Sequence, residues 1–272
     1  MTNKCRITRE IMESSPGLKL IALSATGTDN IDTGAASERG IAVCNIRDYC
    51  TESVAQHVIT LMLNLLTGMP WYMQQVREGK WSKAVQFCLR DRPIREARGL
   101  NFGVVGYGTL GRQSAALAGA LGMNVLIAER RNTEPREGRL TFEEVIQESD
   151  VLSVHCPLTD ETRGLINRDV LRAMKPDAIL INTARGAVIA AEDLAEALRA
   201  GEIAAAGVDT LNVEPPPSDH PLLAKDIPNL IVTPHNAWGS RTARQAGLDQ
   251  LARVVESYNA GSPMNVVNQP VY

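Results

Sequence analysis

Three polar residues that could carry out acid–base and anion chemistry lie in three successive loops of the second half of the chain. Arg185 ends the stretch Asn182-Thr183-Ala184-Arg185, Glu214 precedes a run of prolines, and His235 follows Pro234. Each stretch comes shortly after an apolar run that is typical of a buried strand. Because the carboxyl ends of parallel strands meet at one edge of a sheet, we expect the three side chains to converge.

These residue types fit the reduction of a ketone by hydride transfer. His235 can deliver a proton to the developing alkoxide, and a carboxylate at Glu214 would orient the imidazole and favour its charged form. Arg185 could form a forked contact with a substrate carboxylate and polarise the carbonyl. Taken singly, Arg185 could equally form a surface salt bridge and His235 could be a hydrogen-bonded loop histidine. The prediction therefore depends on the three residues together.

A second motif predicts a dinucleotide site. The sequence Gly106-Tyr107-Gly108-Thr109-Leu110-Gly111 follows an apolar run and opens an amphipathic stretch. Gly106 permits a tight turn, Gly108 lets a pyrophosphate approach the backbone, and Gly111 lets helix and strand pack closely. The N–H groups at the start of the helix, around Thr109 and Leu110, favour phosphate. The alternative interpretation is a glycine turn that binds no ligand.

The next apolar run ends at Glu129, an acid in the position that accepts hydrogen bonds from ribose hydroxyls and repels a 2′-phosphate. This residue favours NAD as the cofactor. Arg130 and Arg131 follow it directly, and an arginine there can hold the 2′-phosphate of NADP. NADP therefore stays possible, and the two arginines could also be a solvated strand end.

The pattern that positions these residues is an alternation of apolar and amphipathic stretches from about residue 100 onward. Because the apolar runs are continuous, they predict a parallel sheet that is covered on both faces, a Rossmann-type doubly wound α/β fold. The six predicted strands are Phe102–Val105, Asn124–Ala128, Val151–His155, Ala178–Asn182, Ala204–Val208 and Leu230–Thr233.

The beginning and end of the chain predict a second, smaller α/β domain. Leu18–Ser24 and Ile41–Asn45 are predicted strands, and a long helix runs from Thr51 to about Leu66. We therefore expect a substrate domain of residues 1–49 and 241–272, with a helix near 241–259, and a dinucleotide-binding domain of residues 50–240. Residues 69–98 have no clear period and could be an arm against another subunit or a surface excursion of one subunit.

Composition excludes several classes of protein. The net charge of −3 argues against nucleic acid or an anionic membrane as the main partner. The five scattered cysteines include no CxxC pair, so free thiols fit better than disulfides or a zinc site, and we expect no metal. The N-terminus has no apolar segment typical of a signal peptide, and we expect the protein in the cytoplasm.

Together these motifs resemble the D-isomer-specific 2-hydroxyacid dehydrogenases over essentially the whole chain. The segments that carry the resemblance are Thr51–His57, Gly103–Gly111, His155–Thr159, Asn182–Gly186 and the loops of Glu214 and His235. The resemblance implies a flavodoxin-like substrate domain, a homodimer with an arm at about 54–98, and Arg185, Glu214 and His235 as catalytic residues. It further implies that Thr26, Gly27 and Arg185 bind a small 2-oxo acid and that the cofactor contacts include His155, Pro157, Thr183, Ala184, Asp209 and Trp238.

Within the family, the stretches Asp209–Pro217, Ile227–His235 and Ala237–Ser240 are most similar to the glycerate dehydrogenases, also called hydroxypyruvate reductases. The resemblance thus implies reduction of hydroxypyruvate or glyoxylate to D-glycerate or glycolate. The stretch Thr2-Asn3-Lys4 resembles a loop inside the family's substrate domain, so about 50 residues, roughly two βα units, would precede it. We expect the smaller domain to be incomplete. Two alternatives remain: an inactive or weakly active NAD-binding protein, and a non-catalytic NAD sensor similar to the family's corepressors.

Overall fold

In the computed structural model, which describes residues 1–270, the chain divides into two compact units. One comprises Met1–Ser53 and the segment from Trp238 onward, and the other comprises Val54–Ala237. The strands are β1 Leu20–Leu23, β2 Ala42–Asn45, β3 Asn101–Val105, β4 Asn124–Ala128, β5 Val151–Val154, β6 Ile179–Asn182, β7 Ala205–Val208 and β8 Leu230–Val232. The helices are α1 Arg9–Glu13, α2 Thr33–Glu38, α3 Thr51–Thr67, α4 Met69–Arg77, α5 Thr109–Ala120, α6 Phe142–Glu148, α7 Arg168–Ala173, α8 Ala191–Ala200 and α9 Arg241–Asn259.

The first unit contains a parallel pair of strands with helices around it. Strand β1 pairs with β2, and α2 connects the two strands. Helix α2 begins at Asp32, whose side chain accepts a hydrogen bond from the N–H of Ala35, as expected of a good N-cap residue. The long C-terminal helix α9 begins in the same way at Ser240 and packs on β1 and β2. The assignment of this unit to substrate binding stays a prediction.

The second unit is built on a six-stranded parallel sheet in the order β4-β3-β5-β6-β7-β8. The strand order reverses between β3 and β5, because the chain first adds β4 on one side of β3 and then adds β5 on the other. Ligands of open α/β sheets bind at such a switch point, beyond the carboxyl ends of the strands. Leu140 extends the sheet past β4 by a single parallel bridge to Ala128.

Helices cover both faces of this sheet, which confirms the predicted doubly wound fold. Helices α3 and α5 contribute Val58, Met62 and Ala118 to an apolar core on one face. Helices α6, α7 and α8 bury their apolar residues in a core on the other face. The six predicted strands all form, with ends that differ by one residue at most.

The segment after α3 differs from the prediction. A helix, α4, begins directly after Gly68, which adopts a left-handed conformation with a φ of 62° and allows the chain to turn between α3 and α4. The sequence pattern hid this helix because apolar side chains lie on its solvent face. Met73 and Val76 are 47% and 50% exposed. An amphipathic pattern requires the apolar residues to face the core, and here they do not.

Three further features bear on the possible function. Among residues 1–270, no helix is both long and apolar enough to cross a bilayer. All five cysteines in this part of the chain are free thiols. Residues 1–270 also contain no group of three His, Cys, Asp or Glu side chains close enough to hold a metal ion.

Candidate active site

The glycine-rich loop lies between β3 and α5, and its three glycines meet three different surroundings. Gly106 has a φ of 96°, and a Cβ there would lie 2.5 Å from the backbone nitrogen of Cys156. A Cβ on Gly111 would overlap the carbonyl oxygen of Gly106. A Cβ on Gly108 would meet no protein atom within 4 Å. The outer glycines are therefore required by the packing of the protein itself, whereas Gly108 borders open space.

The loop that follows β5 lies against this turn. The N–H of His155 donates to the carbonyl oxygen of Val105 at 2.7 Å, which ties the ends of β3 and β5 together. Burial lowers the pKa of His155 to about 4, so the imidazole is neutral. Burial also raises the pKa of the neighbouring Cys156 thiol to about 11, which makes it a poor nucleophile. Pro157 follows, and its carbonyl oxygen accepts a hydrogen bond from Thr162.

Glu129 lies at the end of β4, beside the glycine loop, because Ala128 pairs with Val105 in the sheet. Its side chain is only 1% exposed. Arg136 contacts both carboxylate oxygens, from Nε to Oε2 at 2.5 Å and from Nη2 to Oε1 at 2.7 Å. These hydrogen bonds, with the N–H of Arg130 and the nearby charge of Arg139, lower the pKa of Glu129 to about 2. The predicted ribose acceptor is thus an ion-paired carboxylate.

The first of the three catalytic candidates follows β6. Asn182, the last residue of that strand, is buried and organises the turn. Its side-chain oxygen accepts from the N–H of Ala184 at 2.9 Å, and its side-chain nitrogen donates to the carbonyl oxygen of Arg185 at 3.0 Å. The next residue, Gly186, lies so close to the loop after β7 that a Cβ would overlap the backbone of Leu211. Close packing at Gly186 therefore places Arg185 next to the loop that carries Glu214.

Glu214 and His235 form the most direct contact of the site. The Oε2 atom of Glu214 lies 2.6 Å from Nδ1 of His235, and Oε1 accepts the N–H of Leu211 at 3.0 Å. Both side chains are about a quarter exposed, at 27% and 23%. The carboxylate thus fixes the orientation of the imidazole, and Nε2 is the ring nitrogen that would exchange a proton with a ligand.

Asp209, at the end of β7, holds the loop that carries His235. Its carboxylate is 1% exposed and accepts the N–H groups of Asn236 and Ala237 at 3.0 and 2.9 Å. Its carbonyl oxygen accepts the N–H of His235 at 2.8 Å. His235 has a φ of 51°, a conformation that costs a non-glycine residue of order 1–3 kcal/mol. The hydrogen bonds that Asp209 accepts offset this cost and keep the imidazole facing Glu214.

A second group of side chains supports Asp209. The hydroxyl of Thr233 donates to Oδ1 of Asp209 at 2.5 Å, and Nε2 of His57 lies 3.0 Å from the same hydroxyl. His57 comes from α3 and lies 3.6 Å from the Asp209 carboxylate. The contacts of His57 are thus with residues that position the loop of His235. Neither the network nor the part of Thr233 in it could be predicted, because the three residues are far apart in the chain.

The residues of the second unit fit a dinucleotide. Gly108 borders open space at the N-terminus of α5, where no side chain caps the helix. At the other end of the crevice, the hydroxyl of Thr183 is buried and has no hydrogen-bond partner among the described residues. An unpaired buried hydroxyl is costly unless a ligand or water satisfies it. The phosphates would therefore lie at Gly108, Thr109 and Leu110, and the nicotinamide amide group near Thr183, Ala184 and Asp209.

The remaining predicted residues belong to the first unit. Thr26 and Gly27 form a turn after β1, and the carbonyl oxygen of Thr26 accepts a hydrogen bond from the side chain of Asn45 at 2.7 Å. Thr26 itself is exposed. Trp238 begins the C-terminal segment of this unit. Their roles in binding substrate and cofactor stay predictions.

Known proteins and solved structures are similar to this chain over most of its length. Residues 59–237 match the family described as D-isomer specific 2-hydroxyacid dehydrogenase, NAD binding domain. The chain is 44% identical to a glycerate dehydrogenase of Methylorubrum extorquens over 98% of this chain and 84% of that protein. It is 38% identical to a hydroxypyruvate reductase of Blautia hydrogenotrophica, with the same two coverages. An NADPH-dependent glyoxylate/hydroxypyruvate reductase of Sinorhizobium meliloti, solved with NADP and malonate, superimposes with a TM-score of 0.85 at 31% identity and covers 98% of this chain and 83% of its own.

Proposed function

Since the chain belongs to the D-isomer specific 2-hydroxyacid dehydrogenases, an NAD(P)-dependent family of oxidoreductases, we propose that it reduces hydroxypyruvate or glyoxylate. The products would be D-glycerate or glycolate. The contact between Glu214 and His235 at 2.6 Å carries this proposal, because it joins a base to the carboxylate that orients it. Relatives at 44% and 38% identity are named glycerate dehydrogenase and hydroxypyruvate reductase. These enzyme names favour catalysis over a non-catalytic role for this chain.

His235 acts as the proton donor in this proposal. The reduced nicotinamide, when bound, supplies the hydride to the carbonyl carbon of the 2-oxo acid. As the carbonyl oxygen gains negative charge, Nε2 of His235 transfers its proton to that oxygen, and the product is the 2-hydroxy acid. Glu214 stabilises the charged imidazole before the transfer and keeps the ring in place, because its carboxylate contacts Nδ1.

Arg185 binds and polarises the substrate. Its guanidinium can donate two parallel hydrogen bonds to a carboxylate, or one to the carboxylate and one to the carbonyl oxygen. The family resemblance also assigns binding of a substrate carboxylate to the backbone N–H groups of Thr26 and Gly27. A 2-oxo acid supplies the acceptors that both groups require. This arrangement recognises the reacting end of the substrate and leaves the side chain to other contacts.

The proposal extends to assembly and location. Exposed apolar side chains in residues 69–94 support a homodimer that buries them, since monomers rarely expose large apolar patches. These residues include Met69, Met73, Val76, Trp81, Val85, Phe87 and Ile94. Five free thiols favour a reducing compartment such as the cytoplasm.

The experiment that tests this function is a substrate panel. Purified protein is assayed for oxidation of NADH and NADPH with hydroxypyruvate, glyoxylate and pyruvate, together with the variants Arg185→Gln and Arg199→Gln. We expect hydroxypyruvate or glyoxylate to have the highest kcat/KM, and Arg185→Gln to lower it by roughly 100-fold or more. Arg199 is a matched control because it pairs with Asp226 on the surface. A protein that binds coenzyme but oxidises it with none of the three acids would contradict the proposal.

A further inference from the structure

The ion pair around Glu129 has a consequence for the choice of coenzyme. An acid at this position selects NAD in two ways: its oxygens accept hydrogen bonds from the ribose hydroxyls, and its charge repels a 2′-phosphate. Here Arg136 contacts both oxygens, and the N–H of Arg130 donates to one of them at 3.0 Å. With the side chain only 1% exposed and these N–H donors on both oxygens, little of the carboxylate faces a ribose or the solvent.

The charge that faces outward is instead that of arginine. Arg136 is 65% exposed and uses two of its five N–H donors on Glu129, so three remain for a ligand. Arg130 is exposed beside it. From Glu129 to Arg139 the chain has four arginines against three glutamates, a net charge of +1 where the acid alone would give −1.

Arg139 links this cluster to the phosphate-binding loop. Its Nη1 atom lies 3.4 Å from Oε1 of Glu129, and its guanidinium carbon lies 6.0 Å from the ring centre of Tyr107, between Gly106 and Gly108. The loop that bears these arginines is anchored at its far end, where Leu140 exchanges backbone hydrogen bonds with Ile127 and Glu129. The arginines are thus held at the place where the adenosine ribose of a dinucleotide on the glycine loop would lie.

We infer that Arg136 determines the coenzyme selectivity of this protein, by neutralising Glu129 and by binding a 2′-phosphate together with Arg130 and Arg139. The protein accordingly uses NADPH at least as well as NADH. The inference rests on the proposed function in taking a nicotinamide dinucleotide as the ligand. It reverses the selectivity that an acid at position 129 alone would give.

The test is a binding measurement that needs no turnover. Calorimetry compares adenosine 2′,5′-bisphosphate with 5′-AMP on the wild-type protein and on Arg136→Ala, Arg136→Lys and the control Arg131→Ala. The sequence made Arg131 a second candidate for the 2′-phosphate, but its guanidinium contacts Glu143 and the ring of Phe142, so it is a matched arginine of the same loop. We expect the wild-type protein and the control to bind the bisphosphate more tightly. Arg136→Ala should lower that preference by roughly 10- to 100-fold, the value of charge-assisted hydrogen bonds.

The variant Arg136→Lys keeps a cation near Glu129. It therefore tests the inference even if Arg136→Ala does not fold. Lysine cannot form the paired contact, so a preference between those of the wild-type protein and Arg136→Ala is expected. An unchanged preference in both Arg136 variants, or tighter binding of 5′-AMP by the wild-type protein, would overturn the inference. Coenzyme oxidation on the same samples separates the two proposals. Turnover with an unchanged binding preference contradicts only the inference, and a shifted preference without turnover contradicts only the proposed function.

Discussion

At the scale of single residues, the chemistry of the site depends on side chains that their neighbours orient, hold or neutralise. Glu214 orients His235, Asp209 holds the backbone of His235 in an unfavourable conformation, and Arg136 neutralises Glu129. The first two pairs join residues from different loops, and Arg136 and Glu129 lie seven residues apart in one loop. The individual residue types are ordinary, and it is their partners that give them a role.

His155 gives a prediction about pH and stability. Burial holds its pKa at about 4 in the folded protein, whereas an unfolded histidine titrates near 6.5. The unfolded chain therefore takes up a proton first, so this contribution to stability is complete above about pH 6.5 and is lost as the pH falls toward 4. Between pH 7 and 4.5 the loss should be roughly 2–3 kcal/mol.

Urea unfolding of the wild-type protein and of His155→Gln across this range measures the effect. Glutamine at position 155 does not titrate in this pH range, so the free energy of unfolding of the variant should fall less steeply with decreasing pH. The difference between the two curves isolates His155 from the other titrating groups. Two parallel curves would contradict the prediction.

The sequence could identify the catalytic candidates but not all of their partners. Arg185, Glu214 and His235 each follow an apolar run, and that position is visible in the sequence. Arg136 lies seven residues beyond Glu129 in an exposed loop, where no spacing rule relates the two. Thr233 and His57 meet only because α3 packs on the sheet, and a local sequence pattern cannot predict a contact between residues 176 positions apart.

At the scale of elements, the fold follows from the sequence wherever a segment is buried. Continuous apolar runs mark β3 to β8, because a strand covered on both faces has no polar side to interrupt the pattern. Helix α9, at Arg241–Asn259, agrees with the helix predicted near 241–259, and in the structure Ser240 caps its start. Helix α4 is not predicted, because its solvent face bears Met73 and Val76.

The glycines of the β3–α5 unit give a prediction at this scale. Gly111→Ala should destabilise the protein, because the added methyl group overlaps the carbonyl oxygen of Gly106. Gly108→Ala should leave the melting temperature nearly unchanged, since no protein atom lies within 4 Å, but should lower dinucleotide affinity by roughly tenfold or more.

Gly119→Ala is the control in the same helix. Its added methyl group lies 4.0 Å from Val125, an ordinary contact, and alanine favours the helix by about 1 kcal/mol. Melting temperatures with and without NADH separate the three variants. Affinity in Gly108→Ala equal to that of the wild-type protein would show that the pyrophosphate does not lie against this glycine.

At the scale of the whole molecule, the proposed dimer predicts that apolar residues of the segment 69–94 are buried in solution. Val76 on α4 is 50% exposed in the single chain. Val76→Glu would place a charge in the interface and should shift the dimer toward the monomer. Leu248→Glu, on α9, is the matched control because Leu248 is 62% exposed outside this segment.

Light scattering during gel filtration measures the mass of each variant. We expect twice the chain mass for the wild-type protein and Leu248→Glu, and a lower average mass for Val76→Glu. A wild-type protein of single-chain mass at all concentrations would exclude the dimer. Loss of mass in both variants would show that the effect is not specific to the segment 69–94.

In the proposed reaction, His235 delivers a proton to a 2-oxo acid while Glu214 holds the imidazole in place. The most direct test is the rate of NADH or NADPH oxidation with hydroxypyruvate by the wild-type protein, His235→Gln and Glu214→Gln, each with its coenzyme affinity measured in parallel. We expect kcat to fall by roughly 100-fold or more in His235→Gln and less in Glu214→Gln, with coenzyme affinity unchanged. Full turnover by His235→Gln would contradict the account.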